Sequence, residues 1–86
     1  MVVHKQVDEI VKKAQKVIDD ANEQLDLAKR VEPGDPEKYT EAQLALEEIS
    51  EEIHALIQSA SREQKDRLER TLQRIRQTMN EMILKL

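Results

Sequence analysis

The sequence predicts an all-α fold, an antiparallel up-down-up three-helix bundle, and three observations carry that expectation. Helix formers such as Ala, Leu, Glu, Lys, Gln and Arg dominate the composition, with one Gly and two Pro in 86 residues. Apolar residues recur in steps of three and four along three separate stretches. Two breaks, at about 32–36 and 59–61, divide the chain into helices expected at about 3–31, 36–59 and 62–85. Near-equal lengths and short connections favour antiparallel neighbours. At 86 residues the chain has room for a single core and one domain.

The first helix carries Val3, Val7, Ile10, Val11, Ala14, Val17, Ile18, Ala21, Leu25, Ala28 and Val31. These residues form one wide apolar stripe. Its row at 7, 14, 21 and 28 is mostly Ala, so a neighbouring backbone can approach closely. The first break is Glu32-Pro33-Gly34-Asp35-Pro36. Gly suits the position after a helix, Pro cannot continue one, and Asp followed by Pro reads as an N-cap with Pro at the first helical position.

The second helix has the seam Tyr39, Ala42, Leu46, Ile49, Ile53, Leu56 and Ala60, widened by Ile57, and the third has Leu68, Leu72, Ile75, Met79, Met82 and Leu86. Both follow a heptad rhythm. The break between them contains no Gly or Pro. Continuing the second seam would put Glu63, Arg67, Arg70, Arg74 and Gln77 into the core. The register instead jumps by five residues, a rotation of roughly 140°, which neither a stutter of four nor a stammer of three produces. Ser61 followed by Gln64 fits a capping box. A turn at 59–61 is therefore expected, the rival being one long kinked helix from 36 to 86. In the bundle, Val3 and Val7 should lie level with Leu56, Ala60 and Leu68, and Tyr39 should close the opposite end near Ala28, Val31, Met82 and Leu86.

Composition also excludes classes of function. With no Cys there is no disulfide framework, thiolate zinc site or thiol nucleophile. A single Gly cannot build a phosphate-cradling loop. No apolar run approaches the ~18 residues of a membrane span, and Met1-Val2-Val3-His4-Lys5 does not read as a secretory signal, so the expected compartment is the cytoplasm. Glu51 and His54 have the i, i+3 spacing used in di-iron bundles, but there is one copy, on an outward face. Glu47, Glu48, Glu51 and Glu52 lack the shielded pocket that a general acid needs. Ser50, Ser59 and Ser61 have no base nearby. Tyr39 reads as an end plug of the core, and Met79 and Met82 read as core fillers or, if exposed, as part of a partner surface. The expectation is a protein without catalytic residues, cofactor, metal or small-molecule ligand.

Charge is unevenly distributed. The chain carries net charge −4; residues 1–60 hold seven basic and fourteen acidic groups, net −7, and residues 61–86 hold seven and four, net +3. An acidic second helix beside a basic third one should help set pairing and register. Arg67, Arg70 and Arg74 share an outer face and form a candidate basic stripe, the basis of an alternative reading as a nucleic-acid-associated regulator. Nucleic acid is disfavoured as a partner by the acidic net charge and by the absence of stacking aromatics other than Tyr39.

What remains is surface. Leu27, Leu44, Ile83 and Leu84 fall outside the seams and near one end of the bundle, a candidate patch for a protein partner or for a homodimer. A small aliphatic core is marginal alone, which also favours association. The expected role is a non-enzymatic protein–protein interaction or self-associating module. A further alternative is a polymerising subunit of secretion type, which two loop prolines and the chain length suggest.

Three stretches, Ala21-Asn22-Glu23-Gln24-Leu25, Tyr39-Thr40-Glu41-Ala42-Gln43-Leu44 and Met79-Asn80-Glu81-Met82-Ile83-Leu84, resemble in order and spacing the short uncharacterised proteins of Bacillus-type bacteria often called YtzC-like. The resemblance spans roughly 7 to 84. It implies a cytoplasmic bacterial protein of unknown function and carries over no site residue.

Overall fold

A computed structural model describes residues 2–30 and 35–85, the side chain of Lys85 excepted. It contains three helices, α1 (His4–Ala28), α2 (Pro36–Ile57) and α3 (Arg62–Lys85), each packed on the other two. The three-helix bundle is thus realised, and the turn at 58–61 divides α2 from α3. Helices α1 and α2 end two or three residues earlier than the apolar periodicity suggests. Val31, most of the proline-glycine break and Leu86 lie outside the described residues.

Local chemistry explains where the helices start. The Asp35 carboxylate accepts from the Glu37 backbone N–H at 2.9 Å, with Pro36 in the first turn, which satisfies an otherwise orphan donor. At α3 the expected capping box forms in full: Gln64 Oε1 accepts from the Ser61 N–H at 2.9 Å, and Ser61 Oγ accepts from the Gln64 N–H at 3.3 Å. Val3 opens α1, its N–H donating to Gln6 Oε1 at 3.1 Å. Val3 is consequently 57% exposed, and Val2, absent from the expected stripe, is buried in its place. A valine used as the cap residue lies outside the helical rhythm, so helix periodicity could not assign either one.

The core is the predicted set of seams. Val7, Ile10, Ala14, Ile18, Ala21 and Leu25 come from α1, Tyr39, Leu46, Ile49 and Ile53 from α2, and Leu68, Leu72, Ile75 and Met82 from α3. Val11, Val17, Ala28, Ala42, Leu56, Ile57, Ala60 and Met79 are partly buried around them. Ala14 and Ala21 are fully enclosed, as expected of the small-residue row.

Periodicity had not selected the row Gln64, Thr71 and Thr78, which is buried. Its spacing of seven places it on one side of α3, on the flank toward α1. Each member has a polar partner, local for the threonines and distant for Gln64. Thr71 and Thr78 hydroxyls donate to the carbonyls of Arg67 and Arg74, both at 3.0 Å, the back-bonding open to a helical threonine. Gln64 Nε2 donates to the Val2 carbonyl at 3.0 Å, tying the start of the chain to the turn before α3. Among the described residues no buried side-chain polar atom lacks a partner.

Tyr39 closes the far end as expected. Its ring is buried and its hydroxyl donates to the Met82 carbonyl, in the last turn of α3, where carbonyls lack helical partners. Burial raises the Tyr39 pKa above its ordinary value. A raised folded-state value means that this stability is complete below the unfolded pKa near 10 and is lost as pH rises beyond it. Tyr39→Phe is expected to cost about 1–2 kcal/mol at neutral pH, with one partner removed and a carbonyl left unpaired. Comparing urea midpoints of the two proteins at pH 7 and pH 10.5 checks this: the difference should shrink at the higher pH, and an unchanged difference contradicts the role.

Candidate interaction surface

Charged side chains bridge α1 to each of the other helices. Lys13 of α1 pairs with Glu52 of α2 at 3.2 Å. Arg67 of α3 pairs with Asp8 of α1, and Arg70 pairs with Asp66 one turn away at 3.2 Å. Among the described residues no ion pair joins α2 to α3. The acidic and basic helices therefore lie side by side without the direct pairing that their charges suggest, because the charged side chains of both point outward.

The basic stripe is partly engaged within the fold. Arg67 hydrogen-bonds to Asp8 and holds its carboxyl below the ordinary carboxylate range, through the hydrogen bond first; the opposing effect of burial comes second, and the positive charge of Arg67 adds to the lowering after it. Arg70 is shared with Asp66. This leaves Arg74 as the member of the stripe without an ion pair among the described residues. Because the Asp8 value is lowered, the pair's contribution is present above the unfolded carboxylate pKa and fades as pH falls through the folded one. Asp8→Asn is expected to remove that acid-side loss: thermal midpoints measured at pH 6 and pH 3 should converge for wild type and variant at the lower pH. A constant gap between them would contradict the pairing.

Glu51 and His54 are both exposed on α2, and the described residues hold no group of three or more acidic or histidine side chains placed to share a metal ion. No described helix is long and apolar enough to cross a membrane.

The apolar candidates do not form one cluster of four. Leu44 of α2 and Ile83 of α3 are 52% and 59% exposed and line one shallow depression of ≈ 260 Å³ together with Met79, Thr40, Gln43 and Glu47. Leu27 is half-buried on α1 and Leu84 is 85% exposed, and neither lines that depression. Helical geometry explains the split. Leu27 sits on the flank of α1 that faces α2, and Leu84 lies one residue, about 100°, beyond Ile83. Met79, expected in the core, is half-buried and lines the depression with Leu44 and Ile83.

Leu44, Met79 and Ile83 thus form an apolar saddle across α2 and α3 at the end where Tyr39 closes the core. The family model for the protein of unknown function DUF2524 matches residues 1–84. The chain belongs to that family. It is also similar to a protein of Bacillus subtilis (strain 168) called uncharacterized protein YtzC, with 30% identity over 84 residues covering 98% of this chain and 93% of the relative. The expected resemblance to the YtzC-like proteins thus holds over nearly the whole chain. No solved structure matches.

Proposed function

We propose that this member of the DUF2524 family is a non-enzymatic interaction module of the cytoplasm that binds protein through the α2–α3 face, with no cofactor, metal or small-molecule ligand. The observation that carries this reading is the saddle of Leu44, Met79 and Ile83, two of them more than half exposed. Isolated exposed leucines are ordinary, whereas adjoining ones on two helices form a patch suited to a partner. The concavity is shallow and its polar rim consists of Thr40, Gln43 and Glu47. That shape suits a helix face better than an enclosed small molecule. The acidic net charge and the use of Arg67 and Arg70 inside the fold favour protein over nucleic acid.

Site-specific photocrosslinking in cells tests the reading. A benzophenone side chain at position 44 of the full chain should give one or more discrete protein adducts, and the same group at position 16, exposed on α1, should not. Equal yields from the two positions, or no adduct from position 44, would overturn it.

A further inference from the structure

We infer that the partner on the α2–α3 face is a second copy of this chain, docked about a twofold axis parallel to the helices so that α2 of each copy lies over α3 of the other. This rests on the interaction reading above and adds the identity and orientation of the partner.

Charge distribution carries the inference. By helical spacing the α2 half of the face presents Glu47, Glu51 and His54, and the α3 half presents Arg76, Glu69 and Lys65; all six are exposed. Glu47 and Met79 line the same depression, so Glu47 lies level with Arg76, one turn before Met79. The helices are antiparallel, so the match continues down the face, with His54 level with Glu69. No ion pair joins α2 to α3 within the described residues, which leaves these charges available to a facing molecule.

Two face-to-face twofold arrangements exist. An axis across the helices lays α2 on α2 and α3 on α3, so Glu47 and Glu51 face an acidic helix and Arg76 faces a basic one. An axis along the helices preserves height and exchanges the two halves. Glu47 then meets Arg76 of the other copy, His54 meets Glu69, and the saddles of Leu44, Met79 and Ile83 meet at the same end. Opposite potentials favour this second arrangement and like charges disfavour the first. The contact is isologous and closes as a dimer.

Size is adequate. The bundle measures 48 × 19 × 14 Å along its principal axes, so one long face offers on the order of 900 Å², against ~800 Å² per partner in a standard interface.

Light scattering coupled to size-exclusion chromatography of the full chain tests the proposal. The expected mass is twice the chain's 10.0 kDa, falling toward one chain on dilution and with added salt. Glu47→Arg alone and Arg76→Glu alone should each weaken the dimer about tenfold or more, because each places like charges opposite one another twice. Mixing the two variants should restore a dimer containing one chain of each, as seen by native mass spectrometry. All substituted side chains are exposed, and circular dichroism verifies that each variant folds. A mass of 10.0 kDa at every concentration overturns the proposal; so does a dimer that charge reversal does not weaken or that mixing does not restore. If position 44 still gives an adduct with another protein in cells, the interaction reading survives and only the second copy is excluded. Loss of the adduct removes both.

Discussion

Ile53→Ala is expected to lower stability by about 2–5 kcal/mol. Ile53 is fully buried on α2, on the continuous seam between Ile49 and Leu56, and it belongs to the single core that all three helices share. Truncation removes its transfer free energy and leaves a cavity among side chains anchored on three rigid helices, which can collapse only partly. A domain of this length has about 4–13 kcal/mol in total, so the loss is a large fraction of the whole. Urea denaturation followed by circular dichroism should show a sharply reduced midpoint with an unchanged slope. By contrast Leu84→Ala, at an 85% exposed position, should stay within about 0.5 kcal/mol of wild type. If the two substitutions had similar effects, the assignment of α2's seam to the core would be wrong.

Gln64→Ala is expected to cost about 2–4 kcal/mol, because one side chain serves two contacts. Its carbonyl oxygen closes the capping box with Ser61, and its amide nitrogen reaches the Val2 carbonyl, 62 positions away in sequence. Removal leaves the buried Val2 carbonyl without its donor and the Ser61 N–H without its acceptor, so the capping box keeps only the Ser61 Oγ half. Gln64→Glu separates the contributions. A carboxylate keeps the acceptor for Ser61 but turns an oxygen toward the Val2 carbonyl, so the cap survives while the tie to the chain start is lost. Hydrogen exchange should therefore show faster exchange in the first turns of both α1 and α3 for Gln64→Ala. For Gln64→Glu the increase should concentrate in the first turn of α1. Equal protection of α1 in wild type and both variants would show that the Val2 contact contributes nothing.

Most of the architecture was legible in the sequence, for identifiable reasons. Steps of three and four mark helix faces directly, so the α2 and α3 seams match the buried residues closely. The turn between them was legible without Gly or Pro, because an unbroken seam would have placed Arg67, Arg70 and Arg74 in the core, whereas the register jumps by five residues. Capping chemistry is local, so Asp35 and the Ser61–Gln64 box could be read from spacing alone. Family membership was also legible, through three helix-face stretches.

Of the contacts between helices, the level of Tyr39 beside Met82 was legible, whereas the polar and surface contacts were not. The row Gln64, Thr71 and Thr78 is polar, and a one-dimensional pattern assigns polar residues to solvent. Only the packed bundle reveals that a threonine can be buried when its own helix accepts its proton, and that Gln64 is buried because the chain start lies over it. The four leftover apolar residues shared one end, but their angular positions relative to the neighbouring helices separated Leu27 and Leu84 from the saddle of Leu44 and Ile83. The opposite charges of α2 and α3 suggested that these helices pair with each other, yet the ion pairs between helices run from α1 to each of them. The sequence by itself determined the helices, the caps of α2 and α3 and the inward faces, because those follow from periodicity and from hydrogen bonds spanning a few residues. The tertiary structure alone decided which polar groups are satisfied inside, which charges remain outward, and which apolar residues adjoin, because each depends on the distance between side chains far apart in sequence.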